Sequence, residues 1–278
     1  MTDYLKQSYN ITDPELVSVY DELPLWSGPF GLKLLKAVKL KKDIKALDIG
    51  CGTGFPILEL AQRLGSSCRV YGLDPWHAGT ERIKNKLRIY GIDNVELNTG
   101  IAEKMPFEDN FFDLIVSNNG INNVVDSSKA LYECSRVAAK GAQMVLTINL
   151  PETMIEFYDL FETTLKELGK DSEINAMKAH IEAKRMTTSR LSDLVTKAEF
   201  DVENIEEESF EMRFADGTSM MNHFFIRLAF FDSWKAILLP QDIESVFVAL
   251  ENKLNQSAEL SGELRLTIPY ACLNCRKS

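Results

Sequence analysis

Two carboxylates and a run of glycines are the residues of this chain best placed to do chemistry. Asp48-Ile49-Gly50-Cys51-Gly52-Thr53-Gly54 leads from an apolar segment into a helical pattern, and Asp74 ends the next apolar segment. Glycines in such a turn allow positive φ and let a ligand approach the backbone with no Cβ in the way. The ligand then sits over a helix N-terminus, at the carboxyl edge of a parallel sheet. The spacing is G-x-G-x-G, not the G-x-G-x-x-G of dinucleotide folds. Asp48 sharpens the distinction, because a carboxylate ahead of the glycines repels a diphosphate and attracts an ammonium. Asp74 is placed to accept both hydroxyls of a ribose. Its plainer role would be a helix cap before Pro75, and the two are compatible. Together these residues argue for a nucleoside that carries an amino acid.

A second polar group follows the fourth apolar segment. Ser117-Asn-Asn-Gly-Ile-Asn-Asn123 offers amides without net charge, which suits the floor of a reaction site and equally suits a turn-rich loop. Asn119, Asn123 and His223 are the candidate catalytic groups. His77 and His180 read as surface or core histidines. No Ser/His/Asp set and no metal-ligand spacing occurs. Cys272-Leu-Asn-Cys275 is a lone CxxC that reads as ordinary strand, so no metal is expected.

The elements that must position these groups alternate. Strands are expected at 45–49, 69–74, 94–97, 112–117 and 142–148, with helices at 56–64, 75–90 and 126–139 and Gly141 as a helix C-cap. That alternation means βαβ units and a parallel sheet with helices on both faces. A capping Thr12 with Pro14 starts a short helix to Glu22, Pro24 breaks the chain, and 30–40 is helical again. Residues 151–186 are helical, Thr187-Thr188-Ser189 caps a further helix, and 201–214 alternates as a strand. Helical patterns then cover 218–239 and 241–254, and 263–272 closes the chain as a strand. The predicted architecture is α/β: a doubly wound, mostly parallel, seven-stranded sheet with a helical insertion acting as a lid. The expected division is 1–40 as an N-terminal helical cap, 41–150 as the ligand-binding core and 151–188 as a helical insertion. Residues 189–278 return to the core sheet, with helical residues 218–256 inserted.

Composition narrows the partners. With 31 Lys and Arg against 41 Asp and Glu, the net charge is -10, which disfavours nucleic acid. The lysine-rich stretch 33–45 reads as a solvated helix face. Glu206-Glu207-Glu208 reads as a solvated strand end. The Met220, Met221, Phe224, Phe225, Leu228 stripe reads as core or as contact with a second copy in a homodimer. No apolar run is long enough to span a membrane, and no leader opens the chain, so a cytoplasmic location is expected.

With these motifs placed, the chain resembles the class I S-adenosylmethionine-dependent methyltransferases, nearest to the small-molecule ubiquinone/menaquinone-biosynthesis type. The likeness rests on Leu47–Gly54, on Val70–Pro75, on Ala102-Glu103-Lys104-Met105-Pro106-Phe107 with Phe111–Ser117, and on Arg136–Ala142. It implies S-adenosyl-L-methionine as the cofactor, with Gly50, Cys51, Gly52 and Gly54 along its methionine part. Asp74 and Pro75 would sit at the ribose, Ala102 and Glu103 at the adenine, and Ser117, Asn118 and Asn119 beside the sulfonium. The family usually has Asp where this chain has Ile101. The resemblance also implies an antiparallel last strand beside the fifth, and transfer of a methyl group by in-line displacement to a small-molecule acceptor. The apolar helices of the insertion suggest a hydrophobic one. Two alternatives stand beside this reading: a catalytically silent module that binds the same cofactor, and a nicotinamide-dependent oxidoreductase, which Asp48 and the glycine spacing oppose. Tyr20, Trp26 and Phe30 are candidates to close over the cofactor, or simple packing residues.

Overall fold

The computed structural model describes residues 2–20 and 26–278. Glu22 and Pro24, where the first helix is expected to end, lie outside the described residues. Helix α1 (Pro14–Tyr20) starts one residue later than a Thr12 cap requires. Asp13 Oδ1, 2.9 Å from the Glu15 N–H, satisfies the free end instead.

Seven strands form one sheet in the order β3-β2-β1-β4-β5-β7-β6. They are β1 (Lys45–Ile49), β2 (Arg69–Asp74), β3 (Val95–Thr99), β4 (Phe112–Asn118), β5 (Ala138–Asn149), β6 (Phe200–Phe214) and β7 (Leu264–Lys277). β1 pairs in parallel with β2 and β4, and β2 with β3. β7 runs antiparallel to β5, with Leu146 opposite Leu273, as the family resemblance implies. Cys272 and Cys275 are buried strand residues, and burial pushes both thiols up to about 12.

Residues 1–10, 151–185 and 209–269 make one compact unit, and residues 11–150, 186–208 and 270–278 another. In the second unit both sheet faces are covered. Leu47, Ile49, Ile115 and Leu146 pack with Leu131 and Cys134 of α5 (Ser127–Val137) and Leu191 and Val195 of α8 (Thr188–Lys197). Ala46, Val70, Leu114 and Val116 pack on the other side with Leu34 and Leu35 of α2 (Ser27–Ala37), Ile57 and Leu60 of α3 (Ile57–Leu64) and Ile83 of α4 (His77–Tyr90). Period two therefore puts Asp48 on the α2–α3 side. Thr187 caps α8 by accepting the Arg190 N–H, as expected, and Asp126 caps α5 by accepting that of Lys129.

In the first unit, α6 (Ile155–Glu167) and α7 (Asp171–Lys184) fill the insertion. α9 (Gly217–Asn222), α10 (Phe224–Ile226), a π-helical turn (Arg227–Phe231) and α11 (Asp232–Lys235) replace the single helix expected over 218–239, and α12 (Ile243–Ser261) follows. Met220 and Met221 are core there. Among the described residues, no helix is long and apolar enough to cross a membrane.

Three expectations need correction. Gly141 does not cap a helix: α5 ends at Val137, and Gly141 (φ +76°) lies inside β5. The register between β4 and β5 slips there, from Phe112 opposite Ala138 to Leu114 opposite Gln143, so the glycine serves a bulge. Lys33 is not solvated: its side chain is buried, and Nζ lies 2.5 Å from both Glu206 and Glu208. Glu206 and Glu208 are accordingly ion-paired, and Tyr270 donates to Glu208 at 2.8 Å. The ion pairs replace water for the Lys33 ammonium, while the two carboxylates stay half exposed and lie inside β6, not at its end.

Candidate functional site

The glycine turn is held by two hydrogen bonds to the end of β2, one to backbone and one to a side chain. Gly50 N–H donates to Leu73 O at 2.8 Å, and Gly52 N–H to Asp74 Oδ2 at 2.9 Å. Gly50, Gly52 and Gly54 have φ of +77°, +51° and +120°, values that L side chains rarely adopt. They differ in surroundings. A Cβ on Gly54 would press on Leu58 at 2.7 Å, so that glycine serves helix–turn packing. A Cβ on Gly52 would meet nothing within 4 Å, so that glycine leaves an open cradle above the turn.

Asp48 lies beneath the turn with 0% exposure. Neither carboxyl oxygen has a hydrogen-bond partner. Burial, then the charge of Asp74, pushes its pKa up to about 8; the Ile57 N–H pulls the other way but falls outside the geometry of a full hydrogen bond. A partnerless buried carboxyl is expensive and rare, and it marks a place built for a positive partner. Cys51 stands in the same buried corner, its thiol raised by burial and by Asp48 and Asp74.

Asp74, at the end of β2, has both oxygens occupied on one side, by Gly52 N–H and by Trp76 N–H at 2.7 Å. It therefore ties the glycine turn to the start of α4 as well as offering its outer lone pairs. Burial and the Asp74 charge raise the Tyr20 hydroxyl. Tyr20 meets the Trp76 ring edge-on at 5.1 Å. Phe30, fully buried against Tyr270 at 4.9 Å, is a packing residue.

The floor beside the turn is a network of amides. Ser117 Oγ donates to Ile49 O at 2.9 Å, locking β4 to β1. Thr147 Oγ1 donates to Asn118 Oδ1 at 3.0 Å, and Asn118 Nδ2 to Ser27 O at 3.2 Å, which joins α2 to the end of β4. Asn119 (φ +61°) accepts at Oδ1 from Asn122 Nδ2 (2.5 Å) and from Asn149 N–H (3.1 Å). Its amide oxygen is thus spent on the network, and Nδ2 remains. Asn123 Nδ2 donates to Asn119 O at 3.3 Å. Asn149 and Thr147, on β5, escape sequence reasoning because nothing in their spacing links them to residues 117–123. Gly31 escapes it too: a Cβ there would stand 2.1 Å from the Phe55 ring, so α2 closes directly on the segment after the glycines.

Ala102 is buried, and Glu103 Oε1 accepts the Val125 and Asp126 N–H groups at 2.7 and 3.1 Å. Glu103 thereby holds its loop against the head of α5, while Ile101 is half exposed. His223 belongs to the other compact unit; burial and Arg227 hold its imidazole below the ordinary value. His77 is exposed beside Glu81, and burial lowers His180.

A family model described as a methyltransferase domain matches residues 40–199. A demethylmenaquinone methyltransferase of Anoxybacillus flavithermus is 36% identical over 131 residues, covering 46% of this chain and 54% of the relative. One from Staphylococcus aureus is 34% identical over 134 residues, covering 48% and 55%. The chain thus spans about half the length of the curated relatives it matches. Among solved structures, the YcgJ protein of Bacillus subtilis aligns with a TM-score of 0.58 at 17% identity, over 90% of this chain and 98% of that one. A geranyl diphosphate C-methyltransferase of Streptomyces coelicolor A3(2) aligns with a TM-score of 0.55 at 16% identity, over 90% and 77%. At such identities the likeness is one of fold.

Proposed function

Because the chain belongs to the family of methyltransferase domains, we propose that it moves a methyl group from S-adenosyl-L-methionine to a small-molecule acceptor. The observation that carries this reading is the partnerless Asp48 carboxyl, buried beneath an open glycine cradle with Asp74 at the next strand end. The residues fit that cofactor on chemical grounds. A zwitterionic amino acid brings the ammonium that Asp48 lacks, and its ribose brings donors for the outer lone pairs of Asp74. A diphosphate brings neither, and its charge would oppose that of Asp74.

The bound sulfonium supplies a methyl group already activated by positive charge. What the chain must add is orientation, which can be worth roughly 7–11 kcal/mol in such displacements. In this reading Gly50, Cys51, Gly52 and Gly54 lie along the amino-acid part, and Asp74 and Pro75 at the ribose. Ala102 and the Glu103 backbone border the base. Ser117 and Asn118, fixed by Ile49, Thr147 and Ser27, set the floor next to the methyl group. Asn119 and Asn123 offer amide N–H groups to an acceptor. Asp48 acts from below, as a negative charge in a low-dielectric corner. A base is needed only by an acceptor that must lose a proton.

The test is calorimetry followed by turnover. The chain should bind S-adenosylmethionine and S-adenosylhomocysteine and ignore NAD, and should form S-adenosylhomocysteine when given a pool of small apolar metabolites. Binding of NAD, or of neither nucleoside, would overturn the reading. Tight binding with no product from any acceptor would reduce the chain to a silent binding module.

A further inference from the structure

We propose that the unit of residues 1–10, 151–185 and 209–269 carries a binding site for a carboxylate borne on an aromatic body, gripped by His223 Nδ1 and Arg227 Nε. The two residues stand one helical turn apart, since Arg227 N–H donates to His223 O at 3.1 Å. His223 is the N-cap of α10, with extended backbone (φ −66°, ψ 127°), and its imidazole is close enough to Arg227 to feel that charge. Neither His223 Nδ1 nor Arg227 Nε has a hydrogen-bond partner, although both atoms are buried. Each buried unsatisfied polar atom costs about 1–3 kcal/mol, more when charged. Two such atoms on neighbouring side chains ask for one shared partner.

The surroundings define what that partner is. Arg227 is already steadied from behind: Nη1 donates to Gln7 Oε1, and the Tyr9 ring lies 5.9 Å from the guanidinium carbon. Among the described residues it has no carboxylate partner. The charge therefore faces its free Nε edge uncompensated. Burial and the Arg227 charge disfavour the imidazolium, and with its proton on Nδ1 the neutral ring offers a second donor. One charged and one neutral donor match the two oxygens of a carboxylate; a phosphoryl group would leave further oxygens unserved. Aromatic rings enclose the pair. Phe214 meets the imidazole edge-on at 5.4 Å, and Tyr9 meets Phe224 at 5.2 Å. The backbone opens into its π-helical turn at Arg227, a local irregularity that recurs at functional sites. All these residues belong to one compact unit, so the site stands whether or not methyl transfer is confirmed.

The experiment is calorimetric titration of the intact chain with benzoate, with benzyl alcohol and inorganic phosphate in parallel arms. Benzoate should saturate with a dissociation constant of about a millimolar, as expected for so small a ligand. The alcohol and phosphate should bind at least roughly tenfold more weakly, the worth of a charge-assisted bond. Arg227→Met should weaken benzoate by roughly tenfold or more while S-adenosylhomocysteine still titrates normally. His223→Asn, which keeps a donor near the Nδ1 position, should retain more affinity than His223→Phe. Absence of saturable benzoate heat would overturn the site. So would equal binding of the alcohol, or indifference to Arg227→Met. Benzoate binding by a chain that ignores S-adenosylhomocysteine would uphold this site and sink only the methyl-transfer reading.

Discussion

Replacing Asp48 by Asn should stabilise the ligand-free chain, and the gain should grow with pH. Asp48 is fully buried without a partner, and its pKa rises from the ordinary 3.8 to about 8. Between those values the native chain holds a proton that the unfolded chain has lost. Stability therefore falls as pH rises through that window, by about 1.4 kcal/mol per pH unit. By pH 7 this one carboxyl lowers stability by about 4 kcal/mol relative to its protonated state. Asn is nearly isosteric and never ionises. Denaturant midpoints of the two proteins at pH 5, 6, 7 and 8 should diverge steadily and stop diverging above pH 8. A gap widening by roughly 2 kcal/mol or more from pH 5 to pH 7 is expected. Parallel pH profiles would mean that Asp48 is ionised in the native chain, and the reasoning about its missing partner would fail. The same variant should bind S-adenosylhomocysteine roughly tenfold or more weakly, so that stability and affinity move in opposite directions.

Three further substitutions separate packing from binding. Gly52→Ala meets open space, so it should cost only about 1–2 kcal/mol of backbone strain at φ +51° yet weaken nucleoside binding disproportionately, as calorimetry against a melting curve will show. Gly31→Ala drives a methyl group into the Phe55 ring and should destabilise by about 1–3 kcal/mol, read as a lower denaturant midpoint. Lys33→Met strands Glu206 and Glu208, whose carboxyls Lys33 holds below their ordinary 4.5. It should lower the denaturant midpoint at neutral pH, by little because both carboxylates are half exposed, and the loss should shrink as pH falls below that value. Midpoints at pH 7 and pH 3.5 measure this difference.

The parts of the fold that read directly from the chain are those governed by local rules. β1, β2 and β4 are buried on both faces and appear as continuous apolar runs; glycines and capping residues mark their ends. The candidate site is drawn from the same stretch, because its glycines and carboxylates lie within one βαβ unit. What escaped depends on partners far along the chain. Lys33 looks like its solvated neighbours until Glu206 and Glu208 arrive opposite it. Asn149 looks like a strand end until it bonds to Asn119. Gly141 after an apolar helix is the usual sign of a C-cap, and only the pairing of β5 with β4 turns it into a bulge. The π-helical turn at Arg227–Phe231 is hidden because α and π windings place apolar residues at nearly the same intervals over so short a run.

The central assignment rests on a carboxyl that is neutral alone and charged once a cation lies above it. Titration of S-adenosylhomocysteine at pH 7 in two buffers of different ionisation enthalpy counts the protons exchanged. Release should approach one proton per ligand for the native chain and be nil for Asp48→Asn. Equal proton counts for the two proteins would contradict the assignment.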